Sequence, residues 1–241
     1  MHSFYLAEKV TGDTVSISDA GQLHHLRDVL RLKIGDEAVV FDAEGNEHYC
    51  VIAEVETKKV ILSIKTLKTP PVRKLRLTVA CAIPKQSKMD EIIDKLTQLG
   101  VETIIPLITD RAVIKLGERE QRRMERWRKI ARSASEQSQR ARLPIILPVV
   151  TLKEVLAESR EYQLKLVATL EGERKTLRQA LAEYKPSSIF VLIGPEGDFT
   201  PREIHRAVEA GFIPVSLGDN VLRVATAAVA VASYITLALE I

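Results

Sequence analysis

The sequence predicts an α/β protein in two parts: a small β-barrel over residues 1–72 and an α/β domain with a mainly parallel sheet over residues 73–241. Three observations carry this. Short alternating or β-branched runs fill the first 72 residues, the prolines of "KTPPVRK" interrupt them, and beyond that point apolar runs alternate with helical patterns. The last of these marks strands buried on both faces by crossover helices.

In the first part, "FYLAE", "EAVVFDAEG", "EHYCVIAEV" and "KVILSIK" read as strands, separated by turn signals at Gly35-Asp36 and Gly45-Asn46. "DAGQLHHLRDVLRL" reads as a helix with Leu23, Leu26, Val29 and Leu30 on one face and His24, Arg27 and Arg31 largely on another. Pro70 and Pro71 then break any regular element.

In the second part, "LRLTVACAI", "TIIPLI", "LKLVAT", "SIFVLI" and "IPVSL" read as strands. "SKMDEIIDKLTQLG" is a helix with Met89, Ile92, Ile93, Leu96 and Leu99 at helical spacing, ending at Gly100. Thr151 with Glu154, Thr176 with Gln179 and Thr200 with Glu203 each have the capping-box spacing, and Pro201 suits the first helical position. The final segment, "VLRVATAAVAVASYITLALEI", is apolar on nearly every side, so its helix must be buried, and a second subunit is one way to bury it.

A chain of 241 residues with 46% apolar content can bury a large core. No apolar run approaches the roughly 20 residues that span a bilayer, and "MHSFYLAEKV" lacks the pattern of a secretion signal, so a cytoplasmic protein with no membrane partner is expected. Cys50 and Cys81 stand alone in strand-like runs, which leaves neither a disulfide framework nor a metal site. The net charge of +3 is unevenly spread: residues 1–72 hold 8 Lys/Arg against 11 Asp/Glu, whereas residues 111–142 hold 11 against 4. A helix in that basic stretch would bury only a stripe of Met124, Trp127, Ala131, Ala134 and Ser138. Its arginines are either a solvated face or a phosphate-binding surface, for which the planar guanidinium is the better chemistry.

The glycine turns carry the functional reading. A doubly wound nucleotide-binding domain has its glycine loop after the first strand, but that position reads "AIPKQSKMDE", without glycine. The candidates fall in the last third: "TLEGERKT", "GPEGD" and "LGDNVLR", each after a strand, able to converge on one ligand. Neither GxGxxG nor GxxxxGK[ST] is present. Pro195 removes a donor and Glu196 repels an anion, so a ligand with cationic or neutral polar parts fits better than phosphate.

"IGPEGDFTPREI", "VSLGDNVLR" and "TAA" resemble, in order and spacing, the SPOUT methyltransferases, and in particular the RsmE type, which methylates N3 of a uridine in 16S ribosomal RNA. The likeness extends to "HHLRDVLRLKIGD", "PKQSKMDEIIDKLTQLGV" and "RWRKIARSASEQSQRARLP". It implies an N-terminal PUA-like RNA-binding barrel, a C-terminal trefoil knot that binds S-adenosylmethionine, and a homodimer with active sites at its interface. The resemblance also implies a cofactor pocket formed by Leu170, Gly194, Pro195, Glu196, Gly197, Leu217, Gly218, Val221, Leu222 and Thr226. Glycines there let backbone groups approach the adenosyl moiety. Arg223 is the candidate catalytic residue, its guanidinium stabilising charge that develops on uracil as N3 loses its proton. Arg27, Arg31, Lys85, Lys88, Arg132 and Arg140 are the candidate RNA-binding residues, the last two placed on one side of the basic helix if it stays regular.

Two positions depart from the family pattern. Asp198 stands where glycine is usual, and Ala225 where a glutamate is expected, with Thr226 left to cap the last helix. Two other readings remain: an RNA-binding factor of weak catalytic power that docks on a ribosomal subunit, and a knotted methyltransferase acting on transfer RNA.

Overall fold

The computed structural model describes residues 1–69, 75–84, 88–111, 120–184 and 186–239. The prolines of the interrupting segment lie outside this set. Contacts divide the chain into two compact units, Met1–Val72 with Ser135–Leu143, and Arg73–Ala134 with Pro144–Ile241. Ser135–Leu143 thus groups with the first unit, although in sequence it lies between the two stretches of the second.

The first unit contains β1 (His2–Tyr5), β2 (Thr14–Ile17), α1 (Ala20–His24), β3 (Glu37–Phe41), β4 (Glu47–Val55) and β5 (Val60–Lys68). The strands form one sheet in the order β1-β3-β4-β5-β2, parallel only between β1 and β3. Phe4, Ile17, Val40, Ile52 and Leu62, one from each strand, share a core with Leu26. A flat sheet could not bring its two edges to one core, so the sheet curls, helped by register shifts between β4 and β5 beside Tyr49 and beside Ile52. On the other face Tyr5, Val39 and Phe41 pack with Ala141.

The helical segment of this unit departs from a regular helix. Asp19 caps α1 by accepting from the Gln22 N–H at 3.0 Å. The Gln22 side chain pairs with both backbone groups of Tyr5, at 3.2 and 3.0 Å. From His25 to Val29 the chain is π-helical, and the Leu30 N–H donates to the His25 carbonyl. The wider turn rotates the apolar face. Val29, expected inside, is 57% exposed, while Leu26 is fully buried. Arg31 ends the segment in the left-handed region, at φ 55°.

The second unit runs β6 (Arg76–Ala82), α2 (Lys88–Gln98), β7 (Thr103–Ile108), α3 (Glu120–Gln137), β8 (Ile145–Ile146), β9 (Val150–Thr151), α4 (Leu152–Glu158), β10 (Leu164–Ala168), β11 (Lys175–Thr176), α5 (Leu177–Ala182), β12 (Ser188–Ile193), α6 (Pro201–Glu209), β13 (Ile213–Ser216) and α7 (Val224–Ala238). The last residues of α3 group with the first unit. The sheet order is β11-β13-β10-β12-β6-β7-β8, with β9 also on β7, and its pairings are parallel. Helices cover both faces. Ile92, Leu96, Trp127, Val231 and Ile235 pack with Val79 and Val191 in one core, and Val155 and Ala207 pack with Phe190 and Leu192 in the other. This two-sided burial is why every residue of β12 is buried. All three capping boxes form, at α4, α5 and α6.

Asp42 fixes the β3–β4 turn and is 4% exposed. It accepts from the Glu44 and Asn46 N–H groups at 2.9 Å, from Asn46 Nδ2 at 3.0 Å, and lies 3.1 Å from His48 Nε2. Burial raises its pKa, but the bonds from Asn46, His48 and Glu44 outweigh that and hold it below the ordinary 3.8. Its stabilising contribution is therefore complete above that ordinary value and is lost as pH falls through the lower folded value. Asp42→Asn should cost about 1–3 kcal/mol near neutral pH. In denaturant unfolding followed down to about pH 2, the gap to the parent protein should close; a gap independent of pH would contradict this role.

Candidate cofactor site

Strand register brings three turns together. Ala168, the last residue of β10, pairs with Ile193 at the end of β12 on one side and with Val215 of β13 on the other. Because the three strands are parallel and level, the turns that follow them leave the same edge of the sheet side by side. These are the turns that the sequence marks with glycine.

Each turn has a local reason for its shape. Gly194 follows β12, where an added Cβ would lie 3.0 Å from the Phe199 ring and 3.2 Å from its amide nitrogen, so any side chain would displace Phe199. The Pro195 carbonyl accepts from the Asp198 N–H at 2.9 Å, closing the turn. Gly218 has a φ of 115°, a conformation natural only to glycine, and a Cβ there would point into open space. Glu203, 2% exposed, ties the end of the second turn to the segment after β7. It accepts from the Thr200 N–H at 2.8 Å, from Thr200 Oγ1 at 3.0 Å and from the Asp110 N–H at 2.9 Å. Next to Asp110, Arg111 donates to the Gly197 carbonyl.

Between the turns lies a pocket enclosing about 520 Å³, its mouth included. Leu170, Gly194, Pro195, Glu196, Leu217, Gly218, Val221 and Leu222 line it. Leu170 and Val221 are 44% and 71% exposed, an apolar rim that a flat aromatic group could cover. Glu196 and Asp198 bring carboxylates and Arg174 a guanidinium. Beneath the pocket, burial pushes the Cys81 thiol well above its ordinary range, with the Glu196 charge adding to it, so Cys81 stays protonated and inert. A lining of glycine backbone, apolar rim and carboxylate fits an adenosyl group joined to a sulfonium.

Two residues expected in the pocket are not in its lining. Gly197 is not part of the lining, and a Cβ there would meet only Arg111 Cδ at 3.6 Å. Thr226 is exposed within the first turn of α7 and does not cap it; the cap position is Arg223, which makes no side-chain capping bond. Arg223 is exposed and lies between two lining residues, Leu222 and Val224. Thr169, Arg174, Asp198, Asn220 and Ala227 were missed as lining residues, although four of them lie in or beside the quoted glycine turns.

Of the expected RNA-binding residues, Arg31 is exposed and Arg27 is half-buried, its Nη1 donating to the Thr57 carbonyl at 2.8 Å. Lys88 is exposed and paired with Glu91 at 3.0 Å. Arg132 is half-buried on α3. Arg140 does not share a helix face with it: α3 stops at Gln137, Gln139 takes a left-handed φ of 53°, and Arg140 is 8% exposed. Lys85 lies outside the described residues.

An RNA methyltransferase domain family matches residues 71–236, and an RNA methyltransferase PUA domain family matches residues 17–65. The chain is 33% identical to ribosomal RNA small subunit methyltransferase E of Synechocystis over 97% of its length and 76% of that protein's. It is 30% identical to the protein of the same name from Bacillus subtilis, over 86% and 83%. Its fold is similar to the crystal structure of a ribosomal RNA small subunit methyltransferase E from Neisseria gonorrhoeae bound to S-adenosyl methionine, at a TM-score of 0.88, 30% identity, and coverage of 99% and 98%.

Because Glu203 satisfies two backbone donors and a hydroxyl in a place without water access, Glu203→Ala should destabilise the protein by about 2–4 kcal/mol. Urea denaturation measures this, and a loss below about 0.5 kcal/mol would show that the turn does not depend on it.

Proposed function

Because the chain belongs to the RNA methyltransferase family, PUA domain included, we propose that it transfers the methyl group of S-adenosylmethionine to N3 of a uridine in 16S ribosomal RNA. The observation that carries this reading is the convergence of three glycine turns on one pocket whose lining suits that cofactor. When bound, the cofactor supplies a methyl group on a sulfonium, open to in-line displacement by a nitrogen held in place.

The chain's own residues have separable tasks. Gly218 admits the ligand to the backbone, Gly194 leaves room for the Phe199 ring behind its turn, Leu170, Leu217, Val221 and Leu222 shield the ligand from water, and Glu196 sets a carboxylate where a cation is to be held. Arg223 stabilises the negative charge that uracil develops as the N3 proton leaves. It cannot be the base, being protonated throughout the accessible pH range. Its support is position: it is exposed and flanked by lining residues on both sides.

RNA docks through basic side chains on the solvent side of α3, where Arg122, Arg128 and Lys129 are exposed, together with Arg31, Lys88 and Arg132. The curled sheet of the first unit contributes the PUA share of RNA binding. Two copies pair through α7, whose exposed stripe includes Tyr234 at 39% and Leu237 at 79%. Among the described residues no helix is long and apolar enough to cross a membrane, and the protein acts in the cytoplasm, where ribosomal RNA is assembled into subunits.

Labelled S-adenosylmethionine offered with 16S ribosomal RNA, small subunits or transfer RNA tests the reading. Label should enter small-subunit RNA at uracil N3. Cofactor binding without transfer to any RNA would instead select an RNA-binding factor, and label in transfer RNA a different substrate.

Arg223→Ala should lower single-turnover methylation about 10²–10³-fold while changing cofactor affinity less than about threefold. Equal losses in both would make Arg223 structural. Removing Arg128 and Lys129 together should make the log–log salt dependence of RNA binding shallower by about 1.5 units and leave cofactor affinity intact; an unchanged slope would move the RNA elsewhere.

A further inference from the structure

Asp198 is one of three non-glycine residues with positive φ among the described residues, at 61°. Glycine would adopt that conformation without strain. The side chain explains its presence. Asp198 Oδ2 accepts from Thr169 Oγ1 at 2.8 Å and from the Leu170 N–H at 2.7 Å, and Oδ1 accepts from the Phe199 N–H at 2.8 Å. Thr169 and Leu170 belong to the turn after β10, and Asp198 to the turn after β12. One carboxylate therefore joins two walls of the same pocket, and Thr169, Leu170 and Asp198 all line it.

The bonds are also charge-assisted, the stronger kind. A carboxylate has acceptor sites for all three donors at once, which neither glycine nor a neutral amide can match. Arg111 holds the same turn through the neighbouring Gly197 carbonyl, so the turn is fastened from two directions.

We propose that Asp198 is a positioning residue for S-adenosylmethionine, a latch that fixes the spacing between the turn after β10 and the turn after β12 and so keeps the pocket formed before the cofactor arrives. This rests on the pocket being the cofactor site. A preformed wall spares the ligand the cost of ordering it. Thr169 is the hydroxyl partner of the latch.

The test is calorimetric titration of S-adenosylmethionine into the full chain and its variants, with thermal melts of the ligand-free proteins to establish that each is folded. Asp198→Gly should fold, since glycine suits the backbone there, and should raise the Kd about tenfold. Asp198→Asn, which keeps one acceptor oxygen, should fall between. Thr169→Val should weaken binding, and Thr169→Ser, which keeps the hydroxyl, should restore it. In the Asp198→Gly, Thr169→Val double variant the losses should be less than additive, because both remove one interaction. Wild-type binding with Asp198→Gly within about twofold of it would overturn the latch and leave the pocket standing. Full additivity in the double variant would overturn the Thr169 partnership. No binding by the wild-type chain would overturn the cofactor site itself, and the latch with it.

Discussion

The level ends of three parallel strands constrain everything functional in the second unit. Ala168 faces Ile193 and Val215 across hydrogen-bonded ladders, so the chain cannot move one turn away from the others without slipping a strand. A slip of one residue would turn side chains of β10 and β12 to the opposite face of the sheet. Leu166 belongs to the core on one face and Val167 to the core on the other, which makes that exchange costly. The pocket is thus positioned by packing far larger than itself, and the turns are free to carry irregular backbone.

Irregular backbone at the end of a sheet needs partners for its polar groups, and here charged side chains supply them. Glu203 meets the donors at the start of α6 and after β7, Arg111 the carbonyl of Gly197, and Asp198 the donors after β10. Each belongs to a different segment and reaches across to another, while Glu203 and Asp198 also close on neighbours in their own turn. A site with this construction holds its shape through a few hydrogen bonds of high individual worth, while the sheet beneath holds its place through many apolar contacts. The two kinds of support can fail separately.

What the sequence disclosed was local. Capping boxes at Thr151, Thr176 and Thr200 need only three-residue spacing, and the buried stripe of Met124, Trp127, Ala131 and Ala134 needs only a helical period, so both were legible. β2 was not, because four residues of "TVSI" give too short an alternation, and β8, β9 and β11 have two residues each. Val29 is misplaced because a regular helical period does not foresee the π-helical turn that exposes it. Arg140 was misplaced because nothing in "SEQSQRAR" announces that α3 stops at Gln137. In the pocket, glycine spacing located the turns, but which residue faces inward depends on φ and on distant partners. Gly197 and Thr226, assigned by likeness, therefore lie outside the lining, while Asp198 is legible as a departure and its bonds to Thr169 and Leu170 are not.

A crystal structure of the chain grown with S-adenosylmethionine tests the central claim most directly, that three level turns make one cofactor site. The account predicts the adenosyl group against Gly194, Gly218 and Leu222, with the apolar rim of Leu170 and Val221 over it and the turns in the positions described. Cofactor bound elsewhere on the chain, or bound only after the turns after β10 and β12 have separated, would contradict it.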